Sequence, residues 1–180
     1  MSIGSLRCIA VNVTDFEVGY RFWSAVTGWE VLGPAQGLHG WLGYLGTRNP
    51  PKHEMILIHT DHAPIKTPVP SHHQTNCMHI DITPTNGIDA AIEQILSLGG
   101  TVKKPPSLYP RPGSYGSDKP AIDWAVMQDP FGNEFCLVFD LTREQSNAAF
   151  AAAGRGVKGD QALREAAGQS GPSAGLVTKP

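Results

Sequence analysis

Three stretches of the chain alternate strictly between apolar and polar positions, and two of them run on into helical spacing. Ile9, Val11 and Val13 alternate with Cys8, Ala10 and Asn12, the pattern of a strand with one buried face. Asp15 stands where a helix N-cap belongs. Phe16, Tyr20, Trp23 and Val26 then recur at three- and four-residue spacing up to Gly28, which predicts an amphipathic helix ended by glycine. Three further strands are predicted at Trp29–Leu32, Gly40–Thr47 and His53–Thr60, with Gly, Asn and Pro between them as turns.

The order then starts again. Met78, Ile80 and Ile82 alternate with Cys77, His79 and Asp81, and Ile88, Ala91, Ile92 and Ile95 trace a helix that runs to Gly99-Gly100. Cys8 lies 20 residues before Gly28, and His79 lies 20 residues before Gly99, so the chain contains an internal repeat. Thr101 to Lys103 predicts a strand, Pro105 to Pro120 a long loop, Ile122 to Gln128 another strand, and Asn133 to Phe139 the last. Between the last two strands, Asp129-Pro130-Phe131-Gly132 has the residue order of a type I turn.

Two modules follow from this pattern, about 6–62 and 76–140, joined by a polar, Pro-rich linker over 63–75. The expected architecture is α+β: two βαβββ modules in domain 1–140, forming a cup-shaped sheet with one cavity. Residues 141–180 form a tail that begins helical. Thr142 and Gln145 resemble a capping box, a second short helix is expected over Asp160 to Ala167, and the Gly/Ser/Pro-rich end beyond Gly168 reads as disordered.

Composition narrows the partners. Hydrophobic residues make up 41% of the chain and charged ones 17%, and the net charge is −2 without a Lys/Arg cluster. That excludes a phosphate-tracking surface and points away from nucleic acid. No apolar run reaches the roughly 20 residues a membrane span needs. Three cysteines without a Cys-x-x-Cys pair suit a reducing, cytoplasmic setting rather than a disulfide framework. A small organic ligand or substrate is the expected partner.

The helices should cover one face of the sheet, so the residues alternating away from them point into the cavity. From the pattern these are Cys8, Ala10 and Asn12, then Met55, Leu57 and His59, then Cys77, His79 and Asp81, and finally Glu134, Cys136 and Val138. A carboxylate beside an imidazole in such a cavity can orient it or act as a base, which makes His79 and Glu134 the catalytic candidates, with Asp81 nearby. Asn12, Trp41, Tyr44 and Trp124 are candidates for ligand contact, and Arg111, in the loop Tyr109 to Gly116, for pairing with an anionic group. Buried packing roles are the alternative for Cys8 and Cys136, and a structural histidine is the alternative for His79.

The repeat, the Val13-Thr14-Asp15 strand exit, Phe22-Trp23 and Thr27-Gly28-Trp29, His79-Ile80-Asp81-Ile82, and the run from Asp129 to Leu137 together resemble the vicinal oxygen chelate superfamily, nearest to its glyoxalase-like domains. The superfamily includes glyoxalases, extradiol dioxygenases and bleomycin-binding resistance proteins. The resemblance implies a small-molecule enzyme (isomerase, lyase or dioxygenase-like), or alternatively a metal-free protein that sequesters its ligand, and it implies a homodimer. It also implies four places for a divalent metal such as Zn, Ni, Mn or Fe, falling here on Cys8, His59, His79 and Cys136. Only His79 has the common ligand type, and two thiolates with two imidazoles favour a tetrahedral zinc.

Overall fold

The computed structural model describes residues 7–34, 42–60, 80–112 and 119–169. Its elements run β1 (Ile9–Val13), α1 (Phe16–Thr27), β2 (Glu30–Pro34), β3 (Leu42–Arg48), β4 (Pro51–His59), β5 (Ile80–Ile82), α2 (Ile88–Ser97), β6 (Thr101–Tyr109), β7 (Ile122–Gln128), β8 (Glu134–Asp140), α3 (Arg143–Gly154) and α4 (Asp160–Ala166). This is the expected α+β order of strand, helix and three strands, twice over, with helices after it. Two compact units divide the chain, one built on β1 to β4 with α1 and the turn at 128–134, the other on β5 to β8 with α2 to α4.

Each unit holds a four-stranded mixed sheet, in the order β1-β4-β3-β2 and β5-β8-β7-β6. In both, the first strand lies parallel to the last: Ile9 pairs with Met55 and Val13 with His59, while Ile80 pairs with Phe135 and Ile82 with Leu137. The repeat in sequence is thus a repeat in topology.

In the first unit, Asp15 caps α1 by accepting from the Val18 amide, and Gly28 closes it at φ 74°. The helix comes close to the sheet at Gly19, where a Cβ would lie 3.0 Å from Leu57 Cδ1 and 3.2 Å from Val13 Cγ1. Val13, Phe22, Trp23, Met55 and Leu57 are buried there. Farther across the sheet, the Tyr20 hydroxyl and ring occupy the space a side chain at Gly43 would need, so only glycine fits opposite it.

The Asp129 turn belongs to this unit, and its burial explains why the motif marks the fold. Gly132 N–H donates to Asp129 O at 3.0 Å, closing the turn. The Asp129 carboxylate, 2% exposed, accepts from the amides of Phe131 and Asn133, from Asn133 Nδ2, and from Trp23 Nε1 at 3.1 Å. Asn133 Nδ2 also donates to Asn12 O at 2.9 Å, tying the turn to β1. Burial pushes the Asp129 carboxyl above the usual carboxylate range, and these donors oppose that shift.

In the second unit, Ile88, Ile92 and Ile95 of α2 are buried with Phe135 and Leu137. The strand predicted to end at Lys103 continues through Pro105 and Pro106 to Tyr109, so most of the expected loop's first residues are strand. The correction has a simple cause. β6 is an edge strand, so one of the two successive prolines lacks its N–H on the unpaired outer side and only the other removes a ladder bond. The tail begins as expected, with a full Thr142/Gln145 capping box on α3. Arg164 of α4 is 1% exposed and reaches Asp123 at 2.8 and 3.0 Å and Asp89 of α2 at 2.9 Å. Leu108, Ala149, Ala152, Leu163 and Ala167 form the small core beneath these helices.

Candidate functional site

The first sheet has its helix on the face of Val11, Val13 and Leu57, and register determines what lies on the other. Val11 pairs with Leu57 and Val13 with His59, so His59 shares the helix-covered face. Its ring lies 5.5 Å from that of Phe16 on α1. The expectation that Met55, Leu57 and His59 line a cavity is therefore corrected. Ile56 and Ile58 take that side, paired with Ala10 and Asn12, and Tyr44 joins the row through its pairing with Ile56. The Ile-rich alternation of β4 looks nearly equal on both faces, and only the pairing with β1 decides it.

This register also decides part of the metal set. Cys8 stands five residues before Val13, the partner of His59, an offset of about 16 Å along the strand and on the opposite face. Cys8 and His59 cannot ligate one ion. The internal repeat supplies the right comparison: Ile9 with Met55 corresponds to Ile80 with Phe135, so the counterpart of Cys136 in the first sheet is Ile56. An aliphatic side chain has no lone pair for a metal. Among the described residues, no three His, Cys, Asp or Glu side chains come together in a group able to hold a metal ion. The donor set expected from the resemblance does not fit a four-residue centre.

The other expected residues fall as follows. His79 and Trp41 lie outside the described residues. Asn12 is exposed and its carbonyl is engaged by Asn133. Tyr44 stacks on His53 with ring centroids 4.3 Å apart. Cys8 is half-buried and Cys136 buried, neither of them in a disulfide. Arg111 faces Asp160 at 3.5 Å.

The second sheet collects the richer chemistry. Asp81 pairs with Cys136, so the two share a face, and Glu134 lies two residues before Cys136 on the same side of β8. On β7, Asp123, Ala125 and Met127 are fully buried, and Asp123 shares Arg164 with Asp89 of α2. That is the helix side. Trp124 alternates to the opposite side, that of Cys136. Lys104 of β6 sets its ammonium 3.3 Å from the centre of the Trp124 ring, a cation–π contact. Tyr109, 58% exposed, meets Trp124 edge-on at 6.5 Å. Burial lowers the Lys104 pKa below the usual lysine value, while Asp160 and the Cys136 thiol oppose the shift.

Sequence reasoning missed Lys104. It falls just after the strand expected over Thr101 to Lys103, whereas β6 runs on to Tyr109 and sets the lysine over the tryptophan. The available signal was that an edge strand tolerates a proline whose N–H would face outward.

Comparison with known proteins agrees with this architecture. The model of the family described as "Glyoxalase-like domain" matches residues 8–138. Among solved structures, a glyoxalase family protein from Enterococcus faecalis covers 77% of this chain and 99% of its own, at 17% identity and a TM-score of 0.51. A glyoxalase-related enzyme from Fulvimarina pelagi covers 77% of this chain and 89% of its own, at 13% identity and a TM-score of 0.49. A glyoxalase/dioxygenase from Nostoc punctiforme covers 77% and 99%, at 18% identity and a TM-score of 0.46. No curated protein matches. No helix among the described residues is long and apolar enough to cross a membrane. With the family model spanning both repeats, the chain belongs to the glyoxalase-like domain family of the vicinal oxygen chelate superfamily.

Proposed function

We propose that the protein binds a small organic anion on the face of the second sheet that carries Asp81, Cys136, Trp124 and Lys104, and that it does so without a metal ion. The observation that carries this reading is the Lys104 ammonium, held 3.3 Å over the Trp124 ring. A cation beside an aromatic surface and a buried thiol suits a ligand with an anionic group and a flat apolar body. The metal-free part of the proposal rests on the first sheet, where Ile56 stands at the repeat's counterpart of Cys136.

Titration with 2-naphthoate, followed by amide shifts of the labelled chain, tests the site. Saturable shifts at Trp124, Cys136 and Asp81 are expected, lost in Trp124→Ala. Shifts elsewhere, or none, refute it.

A catalytic version of the same reading is favoured by Asp81 in register with Cys136. Asp81 or Glu134 would serve as the base and Lys104 would hold the developing negative charge, with His79 as the further catalytic candidate. Turnover of a bound anion that survives loss of both carboxylates and His79 would exclude it. The family often forms dimers, and we take this chain to be a homodimer; sedimentation at the monomer mass would refute that.

A further inference from the structure

Helices α3 and α4 lie beyond residue 138, where the family match ends, and they bear on the second-sheet site through the charge of Asp160 acting on Lys104. They are held firmly. Ser146 Oγ donates to Pro120 O at 2.6 Å, and Lys119 Nζ donates to Asn147 Oδ1 at 2.7 Å, fixing α3 to the segment before β7. Arg164, buried between Asp123 and Asp89, fixes α4.

Between these helices and the end of β6 lies a cavity of about 450 Å³, with Phe150, Ala153, Val157 and Leu163 among its apolar walls and Arg111 and Lys158 among its lining. That volume falls within the range of roughly 300–1,000 Å³ typical of small-molecule sites. Its described lining holds two cations and no carboxylate. A third cation, Lys119, has its ammonium 5.8 Å from the Phe150 ring.

Among the described residues, Asp160 meets Arg111 at 3.5 Å with both side chains about half exposed, 58% and 48%. Exposed pairs of that kind contribute about 0–1 kcal/mol, so Asp160 holds Arg111 only weakly against an incoming carboxylate. Leu163 faces the cavity and also belongs to the Leu108/Ala149/Ala152/Ala167 core, so one wall is backed by packed side chains.

We propose that this cavity is a second binding site, taking an aliphatic monocarboxylate: the carboxylate meets Arg111 and Lys158, and the chain lies along Phe150, Ala153, Val157 and Leu163. The charge balance selects an anion over a neutral alcohol. The apolar part of the wall, Phe150, Ala153, Val157 and Leu163, suits a flexible chain. This site is lined by other residues than the second-sheet face, with Asp160 placed to act on both.

Sodium octanoate added to the full-length, isotopically labelled chain tests the proposal, with octan-1-ol as the neutral control. Saturable amide shifts centred on Phe150, Ala153, Val157 and Leu163 are expected for octanoate, with octan-1-ol at least tenfold weaker. The doubly neutralised variant Arg111→Gln, Lys158→Gln alters only exposed side chains and should weaken octanoate at least tenfold while keeping the wild-type spectrum elsewhere. Ala153→Trp should fill the cavity and abolish the shifts. Shifts centred on Trp124 and Cys136, octan-1-ol binding as tightly as octanoate, or undiminished affinity in the neutralised variant would each overturn the proposal. Binding of 2-naphthoate at Trp124 is read in the same spectra, so the two sites fail or succeed separately.

Discussion

The two sheets share a strand order and a pairing register yet carry different chemistry. On the face away from its helix, the first sheet presents Cys8, Ala10, Asn12, Ile56, Ile58 and Tyr44, with His53 stacked on Tyr44. The second presents Asp81, Cys136, Trp124 and Lys104. Their helix-covered faces differ as well: Val11, Val13, Met55 and Leu57 in the first, but Asp123 with its Arg164 partner alongside Ala125 and Met127 in the second. Duplication kept what the fold needs, a parallel first-to-last strand pair over an amphipathic helix. It left the remaining positions free to diverge, and the buried Asp123–Arg164 ion pair lies in the second half.

The largest effect is expected where the second sheet buries charge. Arg164→Ala leaves Asp123 without its counter-ion in a fully buried place, and should cost about 3–5 kcal/mol in denaturant unfolding. Asp123→Leu combined with Arg164→Leu should restore part of that, because an apolar pair replaces the desolvated Asp123–Arg164 pair while Asp89, 16% exposed, loses its partner. If the double variant is no more stable than Arg164→Ala, the pair is not an isolated buried cluster and the contrast with the first sheet weakens.

Next is the turn. Asp129→Ala strands the Trp23 indole N–H and the amides of Phe131 and Asn133, and a loss of about 2–3 kcal/mol is expected for buried donors left unpaired. Thermal unfolding of the variant measures it; a loss below that of an ordinary surface substitution would mean the motif does not lock the first unit.

Smaller still is the effect on binding. Trp124→Ala should weaken 2-naphthoate about tenfold or more, given what buried aromatic anchors contribute, whereas Tyr44→Ala should leave it unchanged. Equal losses would erase the distinction between the two faces. The pH dependence sharpens the same point. The Lys104 pKa is lowered from 10.5, so the ammonium is present below that lowered value and is lost as pH rises through it. Anion affinity should therefore hold at neutral pH and decline in an alkaline window that begins below 10.5, and Lys104→Gln should abolish the decline.

The frame of this fold was legible because it rests on local rules. Asp15 and Gly28 bound their helix, Thr142 and Gln145 cap theirs, and the Asp129 turn has the residues its geometry requires. The site was less legible because it depends on register and on edges. His59 and Ile56 differ by a few positions in a run of alternating aliphatics, and a strand's face is settled by its partner. Lys104 was hidden by the two prolines after it, whose meaning changes with the position of β6 at the edge of its sheet. The repeat itself held the missing clue, since aligning the two strand pairs makes Ile56 the counterpart of Cys136.

The central claim is that the second-sheet face binds an organic anion without a metal. Isothermal titration with 2-naphthoate, on protein stripped with a chelator and again after one equivalent of zinc is added back, tests it most directly. The account predicts the same affinity in both and its loss in Trp124→Ala. Binding that appears only with zinc would contradict it.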